Sequence, residues 1–186
     1  MNQQRPTATG IEATFNASQI LVSKTDPRGV IRYANSAFVQ ISGYSEAELI
    51  GKPHAILRHP DMPACVFKLL WDTLQAKKEL FAYVVNLCKD GRHYWVLAHI
   101  TPDLSPTSGE IVGYHSSRRA PVPAAVTQIR ALYAQLRQEE SRHSSRVAGM
   151  QASSAMLHAI LEQRGQTYEE YVFALTTSSN SARLAA

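Results

Sequence analysis

Ile20-Leu21-Val22-Ser23-Lys24-Thr25-Asp26-Pro27-Arg28-Gly29-Val30-Ile31-Arg32-Tyr33-Ala34-Asn35-Ser36-Ala37-Phe38 is the stretch that decides the fold. Ile20-Leu21-Val22 and Val30-Ile31-Arg32-Tyr33 are β-branched and apolar. The Asp26-Pro27-Arg28-Gly29 turn between them supplies a fixed φ and a permissive glycine, so the segment reads as strand, turn, strand. Asn35 or Ser36 then caps a helical segment with Phe38, Val39 and Ile41 on its apolar side, ended by Gly43. Ser45-Glu46-Ala47-Glu48 has capping-box spacing and predicts a further short helix ending at Gly51.

Downstream, Val66, Leu69, Leu70 and Leu74 recur at helical spacing and predict a helix from Pro63 to Lys77. Phe81 to Cys88, His93 to Thr101 and Ile111 to Ser117 read as strands, joined by the turn Lys89-Asp90-Gly91-Arg92 and by the segment Pro102 to Gly109. Two strands, several short helices and a three-strand meander predict an α+β fold, an antiparallel sheet with helices on one face. Pro121 and Pro123 mark the end of this unit. Val126, Ile129, Leu132, Tyr133 and Leu136 then form an apolar helical stripe over 124–136, residues 147–164 continue helical, and Thr167 caps a last short helix through Phe173. The expected organisation is a flexible leader or cap over 1–17, the main domain over 18–120, a helical extension over 121–175 and a disordered tail over 176–186.

Composition narrows the class. Apolar residues make up 45% and charged residues 18%, which fits a globular chain. The net charge of +4 is scattered, and no Lys/Arg run is interleaved with aromatics, which argues against a nucleic-acid face. Cys65 and Cys88 are too few for a disulfide scaffold or a zinc site. No stretch approaches the roughly 20 apolar residues needed to span a membrane. These features predict a cytoplasmic protein that does not insert into a bilayer.

The segment Gly51-Lys-Pro-His-Ala-Ile-Leu-Arg-His-Pro-Asp-Met-Pro63 is the candidate site. Pro53, Pro60 and Pro63 forbid a long helix, leaving a rigid loop that presents Arg58, His59 and Asp61. Such loops are suited to hold small charged ligands.

Several separated motifs together carry a family resemblance. Asp26 to Phe38, followed by Ile41-Ser42-Gly43-Tyr44-Ser45, resembles the front half of a PAS domain, and Lys89-Asp90-Gly91 with His93-Tyr94-Trp95-Val96 and Thr101-Pro102 resembles its back half. Arg58 to Pro63 and His93-Tyr94-Trp95-Val96 are similar to the aerotaxis-receptor branch, whose PAS domain binds FAD. The resemblance reaches Ile129-Arg130-Ala131-Leu132-Tyr133 and implies a five-stranded sheet with non-covalent FAD between sheet and helices. It further implies redox or oxygen sensing for motility, signalled by contact with a membrane-bound chemoreceptor-like partner or a second copy of the chain. Where that branch continues into a membrane anchor and coiled coil, this chain reads as a stand-alone sensor. A tryptophan common before the third strand is Leu80 here. His54 stands where light-sensing relatives carry a reactive cysteine, which implies no covalent photoadduct.

Arg58 is expected to contact the FAD, a planar fork of donors suiting phosphate or carboxylate; the alternative is an ion pair with Asp61. His59 is a second candidate, or a local backbone cap. Asp61 would orient Arg58 or accept from ribose hydroxyls, or else cap the helix near Pro63. Asn86, on an otherwise apolar strand, must be hydrogen-bonded if buried and suits the polar edge of an isoalloxazine ring. Phe67 and Trp71, one helical turn apart, face the ring or are plain core. Trp95 and Asn35 complete the set, Asn35 reading equally as a helix cap. His54 or His59 as the axial ligand of a haem is the alternative cofactor assignment, and a cofactor-free interaction module the third. No nucleophile–base pair or Gly-rich phosphate loop argues for an enzyme.

Overall fold

The computed structural model describes residues 5–184. Its first hairpin forms where the turn chemistry places it. Asp26 Oδ1 accepts from Arg28 N–H and Val30 N–H at 3.0 Å, and Gly29 takes φ 76°. The Val30 bond leads the causes that hold the Asp26 carboxyl below its ordinary value, with the Arg32 side chain and the Arg28 N–H adding to it against burial. β1 (Leu21–Thr25) and β2 (Ile31–Ala34) flank this turn. Asn35 caps α1 (Ser36–Ser42), which ends on Gly43 at φ 73°, and the Ser45/Glu48 box opens α2 (Glu46–Leu49).

A single 3-10 turn, His54–Leu57, leads into α3 (Ala64–Gln75). The meander follows as β3 (Leu80–Leu87), β4 (His93–Leu104) and β5 (Ile111–Arg119). The sheet is antiparallel in the order β2-β1-β5-β4-β3. Strand alternation sends Val84, Asn86, Tyr94, Ala98, Ser116 and Arg118 toward α1–α3. Leu21, Ile31, Phe38, Leu49 and Leu57 fill that layer without exposure, each contributing about 2 kcal/mol of burial.

The extension is three helices, α4 (Pro123–Ser141), α5 (Arg146–Gln163) and α6 (Tyr168–Leu184). They fold back over the opposite face at the β3 end, where Ile129, Tyr133, Leu136, Leu157 and Val172 build a second core with Tyr83, Val85 and Trp95. This closes an otherwise free sheet edge. The Tyr133 hydroxyl donates to Tyr83 C=O at 2.6 Å, Val85 N–H points at Met62 Sδ at 3.4 Å, and Arg58 bridges Asn86.

Two expected segments differ. The leader is no loose arm over its described part, because Thr9, Ile11 and Ala13 bond Gly91 and His93 through the backbone at 2.7–3.0 Å. The last helix continues to Leu184, past the start of the expected tail at 176, and residues 185–186 lie outside the described ones. Among the described residues no helix is long and apolar enough to cross a membrane.

Candidate functional site

A cavity of about 180 Å³ lies between α3, the 53–58 segment and the inner face of the sheet. Leu70, Trp71, Leu74, Val84, Ala98 and Ile100 make its apolar walls, and Tyr114 meets the Trp71 ring edge-on at 5.4 Å. Its polar groups come from strand alternation: Ser23 on β1, Asn86 on β3, Ser116 and Arg118 on β5. Gly29 is required here, since a Cβ would stand 3.3 Å from the Trp71 ring at a φ that side chains avoid.

The deepest charge is Arg118, only 4% exposed. It donates through Nη2 to Ser23 Oγ at 3.0 Å and to His54 Nε2 at 2.8 Å, and lies 5.1 Å over the Phe38 ring. No carboxylate pairs with it among the described residues, and its Nη1 has no acceptor. Burial pushes the guanidinium down to about 10, opposed by Tyr94. Asn86 Nδ2 and Ser116 Oγ are likewise buried without partners. Buried polar atoms are as a rule satisfied, so these three orphans facing an apolar slot suit a ligand with hydrogen-bonding atoms on its edge.

His54 accepts from Arg118, an obligate donor, so its Nε2 lone pair is engaged and its proton sits on Nδ1. Burial first, then the charges of Arg118 and Arg58, push His54 down to about 3. An imidazole that stays neutral in the fold but gains a proton when unfolded leaves stability full above about pH 6.5. That stability drains as pH falls toward about 3, at up to about 1.4 kcal/mol per pH unit. His54→Gln is expected to flatten the decline by about one proton in urea titrations run between about pH 6 and pH 4; an unchanged slope would place a proton on His54 in the native state.

The cavity brings together five of the expected residues, His54, Arg58, Phe67, Trp71 and Asn86. Arg58 lies across the mouth, 3.9 Å over the Phe67 ring, and makes no ion pair with Asp61. Four others stand outside. Asn35 is a cap: its Oδ1 accepts from Phe38 N–H and Val22 N–H at 3.0 Å, and its Nδ2 donates to Ile20 C=O at 2.8 Å. His59 is buried behind the loop against the His93 ring, 5.5 Å away, where its Nδ1 accepts from Asp61 N–H. Asp61 turns its side chain to solvent and does not cap α3. Trp95 alternates to the opposite face, under Arg130 and beside Tyr133 of α4. Leu80 opens β3 as buried core and is no part of the cavity wall.

Sequence reasoning missed Arg118, Ser116 and Tyr114, although their spacing at every second residue of β5 places all three on one face. It also missed Glu140, for which no local signal exists. Its Oε1 accepts from Ala64 N–H at 2.7 Å, Cys65 N–H at 3.3 Å and Ser153 Oγ at 3.0 Å, and its Oε2 pairs with Arg137 at 3.0 Å. A residue of α4 thereby caps α3, whose own N-cap is Pro63 with no side-chain acceptor.

A family model described as the PAS fold matches residues 31–118. The chain is 41% identical to the aerotaxis receptor of Escherichia coli (strain K12) over 61% of its length and 22% of that protein's. It is 33% identical to the nitrogen fixation regulatory protein of Klebsiella pneumoniae over 64% of its length and 23% of that protein's. The chain thus spans under a quarter of these curated relatives. A light-oxygen-voltage domain studied with a flavin analogue superposes with a TM-score of 0.54 at 21% identity, covering 68% of this chain and 90% of that one. The dark-state domain of the blue-light photoreceptor Aureochrome1 does so at 0.53 and 19%, covering 63% and 84%. At these identities the two structures speak for the fold alone.

Proposed function

Residues 31–118 of this chain are a PAS domain, and from that premise we propose that its cavity holds the ring of FAD and that the chain is a redox or oxygen sensor acting by protein contact. The observation that carries this reading is the set of unpartnered buried polar atoms, Asn86 Nδ2, Ser116 Oγ and Arg118 Nη1, arrayed around an apolar slot. They fit the edge of a flat heterocycle with carbonyl acceptors. A bound flavin supplies a ring whose charge and hydrogen-bonding demand change when it gains or loses electrons. Arg118, buried with no carboxylate, favours negative charge at the inner end of the slot by Coulomb attraction in a dry site. Asn86 can offer either its amide donor or its acceptor there, and its backbone carries that exchange into β3. Trp71, Leu74 and Ile100 exclude water.

A haem is the poorer fit. His54 already spends Nε2 on Arg118, and His59 is turned out of the cavity. In this reading the chain is a sensor and not an enzyme, placed in the cytoplasm, with a membrane-bound chemoreceptor-like protein or a second copy of the chain as its partner. The E. coli aerotaxis receptor is the relative that supports the link to motility.

Asn86→Leu is expected to lower flavin affinity at least about tenfold, the equivalent of one buried hydrogen bond. The first check is the acid-released extract of the purified protein. FAD in that extract supports the reading; a colourless protein or a Soret band overturns it.

A further inference from the structure

Arg58 lines the mouth of the cavity, and two arginines from other parts of the chain, Arg5 and Arg146, stand near it. Arg58 lines it from the loop, with its Nε buried and without an acceptor. Arg5, on the N-terminal strap, donates through Nη2 to Ala55 C=O at 3.1 Å, and that same carbonyl accepts Arg58 N–H at 3.1 Å. The Arg5 guanidinium is therefore held against the turn that carries Arg58. Arg146 is the first residue of α5. That end of α5 is fixed close to the loop: a Cβ on Gly149 would stand 2.6 Å from Glu140 C=O, and the Glu140 carboxylate holds the first N–H groups of α3. Burial, and then the charges of Arg146 and Arg5, press the Arg58 guanidinium below its ordinary value, so both other cations are felt at Arg58.

Nearby acids do not neutralise them. Among the described residues none of the three arginines has a carboxylate within ion-pair distance: Glu140 serves Arg137, and Glu139 serves Arg142 and His143. Asp61 turns to solvent beside His59, and Arg28, also at the mouth, is engaged with Asp26. A guanidinium is a planar fork matched to phosphate oxygens, and several converging forks suit a ligand carrying linked phosphates.

We propose that Arg5, Arg58 and Arg146 form a diphosphate-binding cluster, so that the N-terminal strap and the helical extension, together with the PAS domain, select a flavin dinucleotide over riboflavin. The selection rests on the flavin reading of the cavity, whereas the cluster is read from the arginines alone. Arg5 and Arg146 are exposed and make no contact inside the core, so replacing them leaves folding intact.

The test uses the full chain and titrates FAD, riboflavin and inorganic pyrophosphate into the wild type and an Arg5→Ala/Arg146→Ala variant, with thermal melts as the folding control. FAD affinity is expected to fall at least tenfold in the variant, with riboflavin affinity unchanged. Pyrophosphate is expected to bind the wild type, to compete with FAD and to leave riboflavin bound. Equal wild-type affinity for FAD and riboflavin, or wild-type FAD affinity in the variant, overturns the cluster and spares the flavin reading. Pyrophosphate binding with no riboflavin binding overturns the flavin reading and spares the cluster.

Discussion

If the cavity holds flavin as proposed, Arg118→Met is expected to abolish its binding while leaving the ligand-free stability within about 1 kcal/mol of wild type, because two opposed terms nearly offset. Removing a buried cation that no carboxylate compensates relieves its desolvation, and methionine roughly fills the volume. Against that, Ser23 Oγ and His54 Nε2 lose the donor that sits 3.0 and 2.8 Å from them. For a bound ring the balance is one-sided. Two charge-assisted hydrogen bonds lost in a dry site correspond to a fall in affinity of about 100-fold or more. Equilibrium dialysis against FAD, run beside urea denaturation of the ligand-free protein, reads both quantities. A variant that keeps wild-type flavin affinity sinks the role given to Arg118, and one that does not fold makes the residue structural.

Glu140→Ala is expected to destabilise the protein by about 3 kcal/mol, a helix cap plus buried donors left without an acceptor. One carboxylate oxygen serves Ala64 N–H, Cys65 N–H and Ser153 Oγ at 2.7–3.3 Å, and the other holds Arg137. Glu140→Gln keeps an acceptor in the same place and is expected to recover more than half of the loss. Urea denaturation of both variants checks this. A loss under about 0.5 kcal/mol for the alanine variant would show that α3 begins equally well without the extension.

What could be read in the chain divides along a physical line. Interactions closed within a few residues were legible: the Asp26–Gly29 turn, the Asn35 cap, the Ser45/Glu48 box and the alternation of the meander all depend on near neighbours, and each stands where the pattern puts it. Asn86 and Trp71 were legible as cavity residues because a lone amide on an apolar strand and an aromatic on a helix face have few other uses. Trp95 was not: β4 begins at His93 as the pattern puts it, but both of its faces are buried, and only the packing of the extension shows that Trp95 belongs to the face away from the cavity. Asp61 was misplaced because its nearest partner turned out to be His59, beside it in sequence, and not Arg58. Glu140 lies 76 residues from the N–H it caps, and no window of local sequence contains both ends of that bond. Arg118 was overlooked for a different reason. A charge at the end of a strand reads as a solvated terminus until the sheet order shows β5 at its centre.

The closed edge of β3 has one more implication. Asn86 faces the cavity, whereas Val85 and Tyr83 on the same strand face the helices of the extension, so the two compartments share a party wall one polypeptide thick. Nothing need be relayed through a file of side chains. The peptide group that carries Asn86 is continuous with the one whose neighbour, Tyr83 C=O, is gripped by the Tyr133 hydroxyl, and Met62, at the end of the ligand loop, reaches Val85 N–H along the same edge. The backbone of Val84 and Val85 is all that separates the amide of Asn86 from the bond that holds α4.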